Sequence, residues 1–240
     1  RKEQRRPCHA STPVKGTPIA RLSAFVNEVE THSPFRKKML PEVSAMFTAL
    51  APYAGFGMKL VFGNLWLFGP LLKAVMPSLS AQAGAMLKTT IAFTVQKGSD
   101  AYNVLPQEAY VGANMRFIPH QGEKESLEII KKVADKYGLE TEVLHANDYT
   151  PPVDIHGEAF HLVEQTIADT FPGLPSSPYV MTGATDAQFY QPICKSCIRF
   201  APVIYGPEQM KGMHGLNENI EYNCLPGAVR FYKNLIRAEK

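Results

Sequence analysis

His214 stands between Gly212 and Gly215 and is followed by Asn217, Glu218 and Asn219. Neutral imidazole is a common metal ligand, and a neighbouring group usually fixes which ring nitrogen carries the proton. The flanking glycines let the backbone bend so that an imidazole on a loop can point into a cleft. A loop histidine with no role has the same local sequence, so the rest of the chain must decide. A second histidine, His9, lies in the polar run CHASTP at 8–13. Arg116 follows Asn114 by two residues in an alternating run, which puts both on one face of a strand. There a guanidinium can grip a carboxylate with two parallel hydrogen bonds, or simply be solvated. His156, Glu158 and His161 imitate H-E-x-x-H only loosely, because histidines five apart do not share a helical face.

Composition bounds what these residues can serve. With 240 residues, 45% hydrophobic and 20% charged, the chain has enough apolar material for one large domain or two small ones. The net charge of +3 is too small to imply nucleic acid, and four positive charges lie in the head RKEQRR alone. That head, 1–8, is expected to be disordered. Cys194 and Cys197 form a single C-x-x-C without the second pair or histidine pair of a zinc site, and read as structural. No apolar leader is visible. The sequence opens without methionine and within an apparent motif, so an N-terminal truncation is expected.

The elements that must position the candidates follow from periodicity. Residues 19–30 read as an amphipathic helix. Over 31–88, prolines recur about every ten residues and divide apolar stretches into short helices. The longest, 58–68, is too short to span a bilayer. It is read as a buried helix in preference to a helical hairpin on a larger domain or a surface that meets lipid or an acyl chain. Strands are expected at 89–96, 103–118 and 139–145, with a helix at 123–138 whose apolar positions share a face and which Gly138 stops. With one strand before His9, this is a ferredoxin-like β-α-β-β-α-β lid carrying a helical insertion. Pro151 and Pro152 mark a boundary. Beyond it the pattern is helix at 156–170, strand at 179–181, a short helix to 191, strand at 198–204, and a last helix capped by Asn217 or Asn219. That tail reads as the end of an α/β layer. The expected organisation is a head at 1–8, a lid or dimerisation domain at 9–150 with its insertion at 31–88, and part of a catalytic domain at 151–240.

CHASTP at 8–13, NVLPQEA at 103–109, ANMRFIP at 113–119, TGATDAQFY at 182–190 and GMHGLNENI at 212–220 occur in this order. Together they resemble the two-zinc aminoacylase and carboxypeptidase S family of metallopeptidases. The N-acyl amino acid hydrolase type shares a helical insertion like NLWLFGPLL at 64–72. The resemblance covers nearly the whole chain and matches the C-terminal portion of that family. It implies amide hydrolysis by a water activated on a carboxylate-bridged zinc pair, with a glutamate as base. On this resemblance His214 is a metal ligand and His9 an oxyanion donor reaching into the partner subunit's site. Asn103, Arg116 and Gln188 bind substrate. The family has a basic residue where Gln188 stands, and glutamine keeps hydrogen bonding but loses the charge. The other zinc ligands and the catalytic glutamate would lie before Arg1. This length alone is therefore expected to be inactive and to hold zinc poorly. The expected partners are an N-acyl amino acid or small peptide and a second copy bound through the lid, with no nucleic acid and no transmembrane segment. The alternative is a non-catalytic dimerisation or association module.

Overall fold

A computed structural model describes residues 9–79, 81–147, 149–183 and 185–239. The expectation for the basic head at 1–8, with Cys8, lies outside the described residues. In chain order the elements are α1 (Pro18–Thr31), α2 (Pro41–Leu50), α3 (Phe56–Gly63), α4 (Leu65–Leu79) and α5 (Ala81–Ala85). Strands β1 (Thr90–Lys97) and β2 (Tyr110–Arg116) follow, then α6 (Glu123–Lys136), α7 (Glu158–Thr170), α8 (Ala187–Tyr190), α9 (Pro207–Gly212) and α10 (Leu225–Ala238). Two compact units result. One takes Arg1–Leu40 with Gly69–Tyr149, the other Pro41–Phe68 with Thr150–Lys240.

In the first unit two helices cover one face of an antiparallel pair. α1 starts where the Thr17 hydroxyl accepts the Ala20 amide and Pro18 presets the first helical φ. Phe25 and Val29 then share its buried face. β1 and β2 run from Thr90 opposite Arg116 to Lys97 opposite Tyr110, with a register shift between Phe93 and Val95. Ile91 and Phe93 of β1 and Val111 and Met115 of β2 pack against Phe25, Val29, Ile130, Val133 and Ala134. Phe25 meets Phe93 edge-on, with centroids 5.7 Å apart. α6 ends as the sequence indicates: Gly138 takes φ +61°, and the Leu139 amide returns to the Ala134 carbonyl.

The strands are fewer and shorter than the alternation suggests. The ladder begins only at Tyr110, and Val104 instead makes an isolated bridge with His9. Pro106 lacks the N–H that would carry a ladder through 103–109. Residues 139–145 carry no strand: Leu139 packs into the core, but Val143 and Leu144 are exposed. Alternation marks a chain that could line a sheet; it does not supply the neighbour whose hydrogen bonds make a strand. Among the described residues the sheet has two strands, where the ferredoxin-like expectation has four.

One ion pair gives this unit an acid-sensitive component. Lys136 Nζ lies 2.7 Å from Glu28 Oε1, and the Tyr137 hydroxyl donates to Oε2. Both bonds hold the Glu28 carboxyl below its ordinary value, and the same contact raises the Tyr137 phenol. A carboxyl lowered on folding stabilises the fold above its unfolded pKa of about 4.3 and loses that contribution as pH falls through the folded value. Acid titration of Glu28→Gln, followed by circular dichroism, should therefore show a shallower loss of stability below about pH 4 than the parent.

In the second unit α7 and α10 pack together. Ala228 and Phe231 of α10 and Thr166, Ile167 and Thr170 of α7 are buried, and Asn234 Nδ2 donates to Thr170 Oγ1 at 3.1 Å. Residues 179–181 and 198–204, expected as strands, form no ladder among the described residues. The last helix starts later than expected, at Leu225 with Pro226 in its first turn, after a tight turn over Tyr222–Cys224. The stretch 58–68 is a correction as well. α3 contains no buried residue, and the chain bends by 109° at Asn64. Phe62 packs against Phe47 with centroids 4.7 Å apart, but Phe56, Leu60, Trp66 and Leu67 are exposed. Apolar composition without a single stripe does not fix a buried face.

Candidate functional site

His9 and Asn103 are far apart in sequence and meet in the fold. The Ala10 amide donates to the Asn103 carbonyl at 3.0 Å, and His9 bridges Val104 in antiparallel sense. The loop after His9 closes on itself, with the Thr12 amide on the His9 carbonyl. His9 Nδ1 accepts the Ser11 amide at 3.3 Å and lies 2.9 Å from Ser11 Oγ. An amide N–H can only donate, so in the neutral ring the proton sits on Nε2. The imidazole is exposed and presents an N–H rather than a lone pair at its far nitrogen, as an oxyanion donor requires.

Arg116 ends β2, opposite Thr90. Asn114 and Arg116 are both exposed, while Met115 between them packs on the core. The alternation that defines the strand thus sets the amide and the guanidinium on one open face.

Gln188 lies in α8, half-buried, with its backbone N–H donating to the Thr185 carbonyl. Nothing local in the sequence marks Arg199, whose Nε donates to Thr185 Oγ1 at 3.0 Å. A guanidinium therefore stands at the loop that carries Gln188. The distance of 14 residues hides this pairing, since only the fold of 185–199 brings the two together. The C-x-x-C is part of that fold: the Cys194 amide bonds the Tyr190 carbonyl, and Cys197 Sγ donates to the Cys194 carbonyl.

His214 is exposed and has φ +57°, as Asn217 has φ +62°. Two left-handed residues three apart fold the loop tightly after α9, and the Gly215 amide closes on the Gly212 carbonyl. A Cβ at Gly212 would meet the Asn217 carbonyl oxygen at 3.3 Å, so the glycine permits that close return. The side chain that holds the loop is Gln209, also missed in the sequence. It is 8% exposed and uses its whole amide. Oε1 accepts the Gly206 amide at 3.0 Å, and Nε2 donates to Asn219 Oδ1 and Glu221 Oε1, each at 3.2 Å. Asn219 is therefore engaged by Gln209 rather than capping a helix. The available signal was the spacing: a glutamine three residues after Gly206 closes a first helical turn. Gln209→Leu should cost about 1–3 kcal/mol by stranding the groups it satisfies. Urea denaturation reads the loss, and amide exchange should quicken across 206–221 first.

Among the described residues no three His, Cys, Asp or Glu side chains are arranged to hold a metal ion. A catalytic zinc takes three protein donors, so the residues present do not make a zinc centre by themselves.

Comparison with known proteins gives a consistent set of likenesses. Residues 22–238 match the profile of peptidase family M20/M25/M40. The chain is 33% identical over 241 residues to an N-fatty-acyl-amino acid synthase/hydrolase PM20D1 of Xenopus tropicalis, covering 97% of this chain and 46% of the frog protein. It is 25% identical over 230 residues to a probable carboxypeptidase S-like 2 of Dictyostelium discoideum, covering 95% of this chain and 44% of that protein. The chain thus spans less than half the length of these relatives. In fold it is similar to the M20 family metallo-carboxypeptidase Sso-CP2 of Sulfolobus solfataricus, with a TM-score of 0.54 at 14% identity, over 97% of this chain and 55% of that one.

Proposed function

This chain belongs to peptidase family M20/M25/M40, and we propose that it supplies the lid and the substrate-carboxylate side of a zinc-dependent amidohydrolase or carboxypeptidase. Its substrates are N-acyl amino acids or small peptides. The observation that carries the reading is the backbone bridge that sets His9 beside Asn103, two residues drawn from separate motifs. The lid is residues 9–150, the catalytic portion is 151–240, and the lid pairs with a second copy.

Each residue then has a task. Arg116, supported by Asn114, binds the carboxylate of the substrate through a charge-assisted pair. Asn103 orients the substrate beside it. Arg199 provides at the Gln188 loop the positive charge that Gln188 itself lacks, and Gln188 offers a hydrogen bond to substrate there. His9 donates its Nε2–H to the oxygen that becomes negative as the amide carbon turns tetrahedral, in the partner subunit's site. His214 is one donor to the zinc that would activate the water; further donors must join it.

The test is release of free amino acid from N-acyl amino acids and dipeptides, measured on the natural polypeptide that carries these residues and on the 240-residue chain. The natural polypeptide should turn over with zinc and lose activity with a chelator. Arg199→Ala should raise its KM about 10- to 100-fold with less effect on kcat, as loss of a charged hydrogen bond does. The short chain should show no turnover and weak zinc binding. Hydrolysis by the 240-residue chain would overturn the reading that further zinc donors must join His214. A zinc-free dimer, inactive in both forms, would favour the association module.

A further inference from the structure

We propose that the helical corner formed by α3 and the start of α4 docks on the surface of a phospholipid bilayer bearing anionic lipid. Phe56 is 88% exposed, Trp66 81% and Tyr53 66%, and Leu60 and Leu67 are exposed with them. Monomeric proteins rarely leave so many large apolar side chains in the open over so short a stretch. Aromatic rings with a polar edge, such as Trp66 and Tyr53, favour the boundary between headgroups and acyl chains.

Charge selects this occupant. Between Glu42 and Asp100 the sequence contains no acidic residue, and its charges there are Lys59, Lys73, Lys88 and Lys97. Lys59 is exposed and falls on the same helical face as Phe56 and Leu60. An apolar face that carries Lys59 among its exposed residues complements an anionic lipid surface.

Geometry sets the mode. No single helix among the described residues is long and apolar enough to cross a membrane, but α3 and α4 together pass the same hydropathy test across a bend of 109°. Eight and fifteen residues rise only about 12 and 22 Å, short of a hydrocarbon core of about 30 Å. The pair therefore lies in the interface plane. The corner itself presents little unsatisfied backbone to lipid. Asn64 Nδ2 donates to the Leu60 carbonyl at 2.9 Å, and the Asn64 carbonyl accepts the Leu67 and Phe68 amides at 3.0 Å.

Trp66 is the sole tryptophan, so its fluorescence reports this site directly. The intact chain is titrated with phosphatidylcholine vesicles with and without phosphatidylserine. The expected result is a blue shift and quenching by lipids brominated on the acyl chain, stronger with phosphatidylserine and weakened by salt. Lys59→Glu should weaken binding about tenfold, and Leu144→Asp, at an exposed leucine in the other unit, should leave it unchanged. The proposal fails if vesicles produce no shift, or if brominated lipid does not quench. It fails equally if the shift follows protein concentration without lipid, which identifies a second copy as the occupant. Equal loss in Leu144→Asp identifies unspecific adhesion and also overturns it.

Discussion

His9→Ala in the natural polypeptide should lower kcat for amide hydrolysis about 100- to 1,000-fold, the usual cost of removing one oxyanion donor. KM should change little, because the donor acts on charge that exists only in the transition state. Folding should be untouched: the ring is exposed, and the backbone bonds that fix its loop, from the Ala10 and Thr12 amides, survive the substitution. His9→Gln should recover part of the loss, since an amide can still donate. The proposed placement across subunits adds a sharper readout. Mixing His9→Ala protomers with His214→Ala protomers creates dimers with one site that has both histidines. Activity should return on mixing. If it does not, while each variant folds and dimerises, His9 does not act in the partner's site. If kcat is unchanged in His9→Ala itself, the oxyanion role is wrong.

Helices were legible where local chemistry and burial agreed. Thr17 and Pro18 mark the start of α1, and Gly138 marks the end of α6, because a cap is satisfied by groups within a few residues. The expected strands at 139–145 and 198–204 do not form, for the opposite reason: a ladder needs a partner, and no local pattern names it. The stretch 58–68 misled through composition, since its apolar residues point to more than one side of α3 and α4 and the bend at Asn64 exposes them. The motif residues His9, Asn103, Arg116, Gln188 and His214 could be picked out because the motifs occur in order. The side chains that organise their surroundings could not. Gln209 earns its place by three hydrogen bonds to residues up to twelve positions away, and Arg199 by one across fourteen. Such long-range polar contacts have no period to read.

Phe231→Ala should be the most destabilising single change in the second unit, at about 3–5 kcal/mol. The ring is 1% exposed and packs 4.9 Å from Phe200 and 5.4 Å from Tyr232, centroid to centroid. Its removal leaves a cavity that this side of α10 cannot readily close, because α10 is held close at its start. A Cβ on Gly227 would come within 2.9 Å of the Phe171 ring, so helix and ring already touch. The consequence reaches the His214 loop, which enters α10 through the Tyr222–Cys224 turn. Cys224 offers a probe there. Its thiol is buried and donates to the Glu221 carbonyl, whereas Cys194 is exposed. In Phe231→Ala, labelling of Cys224 by a thiol reagent should accelerate while that of Cys194 stays constant, alongside a lower urea midpoint. Phe231→Leu should lose less, since most of the volume remains. If both midpoint and Cys224 labelling are unchanged, α10 is not anchored through this ring, and the loop that carries His214 must be held by Gln209 alone.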